Sequence, residues 1–184
     1  MSRVLIPLAD GFEDVEFVSV VDVLRRGGVE VVTASIGDGL EAVSAHGVAM
    51  CADAMFDDAA GESYDAVVLP GGGEGTRRLR ESEAVKERLR VQKESGGLIC
   101  AICAAPLVLV EAGVLDENQH VTCYPTCSVE LDRPCSNVPV VADGNVITGQ
   151  APGSALLFAL VVLDALMGAS VRNRVARGLV TEVI

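Results

Sequence analysis

The feature that most constrains this sequence is the alternation of short apolar runs with segments of helical character. The runs span residues 3–8, 29–35, 65–69 and 97–102. Because they lack polar alternation, they are typical of strands that are buried on both faces. Segments 13–26, 82–95 and 104–112 lie between or after them, and each is followed by glycine, the usual residue after a helix end.

This alternation predicts one α/β domain over residues 1–184, a mostly parallel sheet with helices on both faces. Residues 138–141 and 145–148 then read as a small hairpin turning on Asp143-Gly144. Helices are predicted at 153–167 and 170–179. In open sheets of this kind, sites lie beyond the carboxyl ends of the strands. The loops to examine are therefore 9–14, 70–76 and 103–106.

Charge and hydropathy exclude several classes of protein. Lys plus Arg number 14 and Asp plus Glu number 26, a net charge of −12, which argues against a nucleic-acid partner. The longest uncharged stretch, 95–110, is shorter than the roughly 20 residues of a membrane span and contains two glycines and a proline. The first residues do not resemble a signal peptide. We therefore expect a cytoplasmic protein without a membrane partner.

The cysteine pattern favours free thiols over disulfides or metal sites. In a cytoplasmic chain the six cysteines are expected to be reduced. Cys100 and Cys103 form a Cys-x-x-Cys, but the first lies inside the predicted strand, unlike a redox dithiol at a helix start. The later cysteines lack zinc-site spacing, so we expect neither metal nor cofactor. A resolving or oxidisable role for Cys123 or Cys127 remains open.

Cys103 lies at the junction of a predicted strand and helix. Small residues flank it at Ala101 and Ala105, the spacing of a nucleophile elbow. A helix N-terminus favours a thiolate, so we expect its pKa to fall below the usual value of about 8.5. A free cysteine is also commonly a small core residue. Nucleophile and core residue are both compatible with this segment.

Two further segments have chemical interest. Residues 71–75 contain four glycines, whose backbone N–H groups would suit an oxyanion, although a plain tight turn fits equally well. Glu16 precedes Val20 and Val23 on one helical strip, and burial there would raise its pKa. A protonated Glu16 would donate a hydrogen bond to a thiolate. The simpler interpretation is a first-turn carboxylate that complements the helix dipole.

Four segments, taken in order, resemble the ThiJ/PfpI superfamily, specifically its DJ-1/ThiJ branch. They are Gly-Phe-Glu-Asp-Val-Glu from Gly11, Asp-Ala-Val-Val-Leu-Pro-Gly-Gly-Gly from Asp65, Ala-Ile-Cys-Ala-Ala-Pro from Ala101 and Thr-Gly-Gln-Ala-Pro-Gly-Ser from Thr148. The resemblance implies a flavodoxin-like three-layer sandwich, a homodimer, and a reactive cysteine at the elbow.

The resemblance also implies residue roles and activities. Cys103 matches the nucleophile and Glu16 the buried acid that bonds it, while Gly71, Gly72 and Ala104 match the backbone N–H groups that line the oxyanion pocket. The implied activity is that of a glyoxalase III-like enzyme or protein deglycase on methylglyoxal, glyoxal and their early adducts, in oxidative or carbonyl stress. The alternative is a redox-sensing, chaperone-like protein whose Cys103 oxidises to a sulfinate.

This sequence departs from the family pattern at Tyr124. Where many members have histidine near the cysteine, this chain has Tyr124, which can bind a substrate oxygen but is not a base near neutral pH. No Cys-His-acid triad is recognisable, which disfavours peptide hydrolysis. His46 lies where some relatives carry a polar residue that reaches the partner's site, although a loop histidine without a role fits as well. An inert paralogue is a third possibility.

Overall fold

The computed structural model describes residues 2–181 and contains a central sheet of seven strands. The strand order is β5-β2-β1-β6-β7-β9-β8, and β3 and β4 form a separate antiparallel hairpin. Every pairing in the central sheet is parallel except that of β8 with β9. The strands are β1 Arg3–Leu8, β2 Glu30–Ser35, β3 Glu41–Val43, β4 Ala49–Cys51, β5 Ala54–Met55, β6 Ala66–Leu69, β7 Leu98–Ile102, β8 Val140–Asp143 and β9 Val146–Gly149.

Helices cover both faces of this sheet, because successive side chains of a strand point to opposite faces. Val4 and Ile6 of β1 pack with α1, α6 and α7, whereas Leu5 packs with α2, α3, α4 and α5. The helices are α1 Asp14–Gly27, α2 Phe56–Ala59, α3 Gly73–Glu81, α4 Glu83–Glu94, α5 Pro106–Ala112, α6 Ala155–Met167 and α7 Ala169–Gly178. The predicted flavodoxin-like three-layer sandwich is confirmed.

Some predicted boundaries were wrong. The helix predicted at 104–112 begins only at Pro106, because Cys103 has a positive φ of 65° that no helical residue adopts. Asp143 belongs to β8 rather than to the turn, and β9 extends to Gly149. The hairpin of β3 and β4, the short β5 and α2, and α3 were not predicted.

The strand order determines where the candidate site lies. Strands β1, β6 and β7 are neighbours in the sheet and run in parallel. Their carboxyl ends therefore bring three loops together: the loop before α1, the glycine-rich loop before α3, and the turn at Cys103. Among residues 2–181, no helix combines the length and apolarity needed to cross a membrane.

Candidate active site

Cys103 lies in a strained turn directly after β7. Its φ is 65°, a region that residues other than glycine rarely adopt, and its side chain is nearly buried. The backbone N–H of Cys103 donates to the carbonyl of Gly149 at 3.0 Å, and its own carbonyl accepts from the N–H of Tyr124 at 2.8 Å. These two hydrogen bonds hold the strained residue from both sides.

Glu16, in the first turn of α1, is fully buried. Its Oε2 accepts a hydrogen bond from the N–H of Gly71 at 2.8 Å, whereas its Oε1 has no hydrogen-bond partner among the described residues. Burial raises the pKa of Glu16 to about 7, against the lowering effects of Gly71 and the Cys103 thiol. The carboxyl therefore titrates near neutral pH.

Gly71 packs tightly between the carboxyl of Glu16 and the side chain of Cys103. A Cβ atom at this position would lie 2.6 Å from the Cβ of Cys103 and 2.6 Å from Oε2 of Glu16. Any side chain at this position would therefore displace one of the two residues. The structure brings Glu16, Gly71 and Cys103 into one packed group.

The expected direction of the Cys103 pKa was wrong. Burial raises the pKa of the thiol to about 12, and the negative charge of Glu16 adds to that effect. The N–H groups of Gly72 and Ala104 lower it, but not enough to compensate. The seven-residue α5 starts three residues later, so its dipole is too distant to dominate. Near neutral pH the thiol therefore keeps its proton, while Glu16 is partly ionised.

The glycine loop has a different role from the one expected for Gly71. The N–H of Gly71 is already bonded to Glu16, whereas the N–H groups of Gly72 and Ala104 point to the sulfur. Gly72 and Gly75 also allow two loops to approach closely. A Cβ on Gly72 would lie 2.3 Å from the carbonyl oxygen of Gly11, and a Cβ on Gly75 would lie 2.8 Å from the nitrogen of Phe12.

Tyr124 and His46 occupy different surroundings. Tyr124 lies next to Cys103, because its backbone N–H donates to the Cys103 carbonyl, and its side chain is exposed. His46 lies in the turn between β3 and β4, where its Nδ1 is 2.6 Å from Oδ2 of Asp14, and this carboxylate raises the pKa of His46. Asp14 also accepts a hydrogen bond from the hydroxyl of Ser44.

Glu13, Asp14 and His46 place three ligand-type atoms within 4.8 Å of one another, a group that the sequence did not reveal. Each carboxylate already has a structural contact. Glu13 accepts the N–H of Glu16 as the N-cap of α1, and Asp14 ties the β3–β4 hairpin to that helix. The group is thus explained by the packing of the hairpin against α1. The hairpin was not predicted, so nothing in the spacing pointed to it.

Comparison with known proteins supports the resemblance over most of the chain. The sequence model of the DJ-1/PfpI family matches residues 2–165. Protein dj-1beta of Drosophila melanogaster is 40% identical over 178 residues, 95% of each chain. Its crystal structure matches with a TM-score of 0.96 at 38% identity, covering 100% of both chains.

Two other relatives differ in name and length. The Caenorhabditis elegans protein named glutathione-independent glyoxalase DJR-1.2 is 35% identical over 180 residues, 96% of this chain and 94% of that protein. Protein DJ-1 homolog B of Arabidopsis thaliana is 38% identical over 167 residues. That match covers 90% of this chain but only 38% of the Arabidopsis protein.

Proposed function

This chain belongs to the DJ-1/PfpI family, and from that premise we propose that it is a cysteine-dependent glyoxalase or deglycase. Its substrates are methylglyoxal, glyoxal and their early adducts, and its products are 2-hydroxy acids. The observation that carries the proposal is the packed group of Cys103, Gly71 and Glu16, with a carboxyl whose pKa is near 7 beside a thiol. The glyoxalase name of one relative supports the same substrate class.

The first step is addition of Cys103 to the aldehyde. The sulfur bonds to the aldehyde carbon while the thiol proton passes to the Glu16 carboxylate. Negative charge develops on the former carbonyl oxygen, where the N–H groups of Gly72 and Ala104 stabilise it. The oxygen then takes this proton from Glu16, which yields a hemithioacetal and returns Glu16 to its carboxylate form. A carboxyl with a pKa near 7 suits both the acceptance and the return of a proton at neutral pH.

The second step is an internal redox rearrangement. Glu16 removes the proton from the former aldehyde carbon, and the adjacent ketone carbon receives a proton through the enediol. The aldehyde carbon is thereby oxidised to a thioester and the ketone carbon is reduced to an alcohol. Water hydrolyses the thioester and restores the thiol. The net reaction of methylglyoxal with water gives lactate, so no external oxidant, reductant or cofactor is required.

The test is direct detection of lactate from methylglyoxal, in a buffer without amines or added thiols. We expect many turnovers for the wild type and loss of activity in Cys103→Ser, which removes the thiol nucleophile. In Glu16→Gln we expect on the order of 100-fold less activity, the usual scale for a general base. Cys51→Ser is the matched control, because Cys51 is an exposed thiol on β4, which belongs to the separate two-stranded sheet and not to the sheet that contains β7.

Two results would overturn this proposal. The first is full activity in Cys103→Ser. The second is aldehyde loss that stops near the number of thiols present without any lactate, which would indicate adduct formation on cysteines or an inert site.

One observation favours a second function, a redox sensor with little turnover. Within residues 2–181, Oε1 of Glu16 is buried and has no hydrogen-bond partner, so a protonated Glu16 could donate a hydrogen bond to an oxidised sulfur on Cys103. Under substoichiometric peroxide, Cys103 is then expected to gain two oxygen atoms before the other cysteines react. Equal oxidation of all six cysteines would contradict this function.

We also propose that two copies of the chain associate through α1 and the β3–β4 hairpin. Val15, Val18 and Val48 are about half exposed on these two elements, which Asp14 joins through Ser44 and His46. Exposed valines on adjoining elements are typical of a surface that another protein covers.

A further inference from the structure

Two cysteine thiols outside the proposed catalytic pair are in direct contact. The Sγ atoms of Cys123 and Cys135 are 3.4 Å apart, and both cysteines are free. Cys123 is buried, whereas Cys135 is partly exposed. The remaining cysteine of this region, Cys127, is also partly exposed.

The backbone holds these two cysteines together. Val121 pairs with Cys135 in an isolated parallel bridge, and the N–H of Ser136 donates to the carbonyl of Val121 at 2.8 Å. The segment around Cys135 is therefore fixed beside the chain that leads into Cys123. A disulfide requires side chains that point toward each other and a sulfur separation of about 2.05 Å. Because the two sulfurs are already 3.4 Å apart, a small movement of the side chains would bring them to bonding distance.

A cavity gives small molecules access to this pair. It has a volume of about 290 Å³, and its lining includes Cys123, Cys135, Pro125 and Gln150. Cys135 is the more exposed of the two residues, so we expect a reagent from solvent to react with it first. The buried Cys123 is in contact with Cys135 and can react with what forms there.

We propose that Cys123 and Cys135 form a reversible dithiol–disulfide couple that exchanges with low-molecular-weight disulfides. First, Cys135 attacks a small disulfide RSSR, which forms a mixed disulfide on Cys135 and releases one RSH. Next, Cys123 attacks the Sγ of Cys135, which forms the Cys123–Cys135 bond and releases a second RSH. The two cysteines are oxidised and one RSSR is reduced to two RSH. Excess RSH reverses both steps.

The couple lies next to the chain segment that supports the nucleophile. Tyr124 follows Cys123 directly and donates its N–H to the carbonyl of Cys103. The disulfide therefore cross-links this segment to residue 135 and reduces the freedom of Tyr124. The couple is a modification site distinct from Cys103, and its formation does not depend on the catalytic proposal.

The test is treatment of the reduced protein with bis(2-hydroxyethyl) disulfide, followed by acid quenching, blocking of thiols with N-ethylmaleimide and mass spectrometry. For the wild type we expect a peptide that links Cys123 to Cys135, and we expect dithiothreitol to remove the link. Cys103→Ser should form the same link, which separates this result from the catalytic proposal. Cys127→Ser is the matched control within the same loop and should also form it.

The single variants test the order of attack. Cys123→Ser should accumulate the mixed disulfide on Cys135, because the resolving thiol is missing. Cys135→Ser should leave Cys123 reduced. The proposal is overturned if Cys127 or Cys103 is the partner found in the wild type. It is equally overturned if Cys123 and Cys135 remain fully alkylatable after the exposed Cys51 has formed its mixed disulfide.

Discussion

At the scale of single residues, Cys103 and Glu16 titrate as a pair that shares one proton. Burial raises both pKa values, to about 12 for the thiol and about 7 for the carboxyl. The first ionisation of the pair therefore takes place on Glu16, and the sulfur becomes reactive by passing its proton to that carboxylate. Reactivity of Cys103 then follows the titration of Glu16 rather than that of a free thiol.

This coupling predicts the pH dependence of alkylation at Cys103. The rate with iodoacetamide should rise as the pH passes through about 7, the pKa of Glu16. In Glu16→Gln that rise should disappear, and the rate above neutrality should fall on the order of 100-fold. Peptide mass spectrometry of labelled Cys103 measures both rates. An unchanged profile in Glu16→Gln would show that Glu16 does not take the proton.

The buried carboxyl of Glu16 also predicts that the protein loses stability as the pH rises. The pKa of Glu16 is raised from 4.5 to about 7, so the folded state binds its proton more tightly than the unfolded state does. The contribution of Glu16 to the free energy of unfolding is therefore fully present below pH 4.5, and it is lost as the pH rises to about 7. At 1.4 kcal/mol per pKa unit, the loss is about 3 kcal/mol.

Glu16→Gln, which has no charge to bury, should therefore lack this loss. The free energy of unfolding, measured by urea denaturation on both sides of neutrality, should depend less on pH in the variant than in the wild type. The variant should be the more stable protein at alkaline pH. A parallel pH dependence in both proteins would contradict a carboxyl pKa near 7.

At the scale of elements, substitutions at Gly72 and Gly73 test whether the close approach of the glycine-rich loop to the loop before α1 determines stability. Gly72 has a φ of 93°, and its Cβ would lie 2.3 Å from the carbonyl oxygen of Gly11 on the facing loop. Gly72→Ala should lower the free energy of unfolding by at least about 1–3 kcal/mol from backbone strain alone and disturb the N–H that points to Cys103. Thermal unfolding and lactate formation measure the two effects.

The neighbouring Gly73 is the control. It begins α3, and a Cβ there meets no atom within 4 Å. Gly73→Ala should be neutral or should stabilise the protein by about 0.5–1 kcal/mol, because alanine favours a helix more than glycine does. Equal effects of the two substitutions would show that the approach of the loops does not determine stability here.

The elements also show how far the sequence alone predicts this structure. The buried parallel strands and their helices were predictable, since uninterrupted apolar runs and terminal glycines are local signals. The hairpin of β3 and β4 was not, because its strands have only three residues each and carry exposed side chains. The contact of Cys123 with Cys135 depends on a single bridge across an irregular segment, for which no periodicity exists.

Some features of the candidate site were also predictable from the sequence, and others were not. The position of Cys103 between strand and helix followed from its motif. The burial of Glu16 followed only from the family resemblance, because helical spacing alone left a first-turn carboxylate as the simpler interpretation. The pKa of Cys103 followed from neither, because its direction depends on how fully the surrounding loops bury the sulfur. The role of Gly71 was also not predictable from the sequence, because its N–H donates to the carboxylate of Glu16, which is 55 positions away.

At the scale of the whole molecule, association has to overcome a net charge of −12 on each chain. Like charges repel, and salt screens this repulsion over about 10 Å. A stable dimer therefore needs apolar contact area that is largely free of acidic groups. Val15, Val18 and Val48 supply such side chains, and of the neighbouring carboxylates Glu13 is buried and Asp14 is only partly exposed.

The dimer proposal predicts that one added charge on this surface separates the protomers. Val18→Glu places a carboxylate where the partner's apolar side chains would pack, and burying it unpaired is costly. We expect the wild type to sediment as a dimer and Val18→Glu as a folded monomer with an unchanged circular dichroism spectrum. Val129→Glu is the control, because Val129 is 87% exposed in the irregular segment before β8 and should leave the dimer intact. A monomeric wild type, or a Val18→Glu protein that remains dimeric, would exclude this surface as the interface.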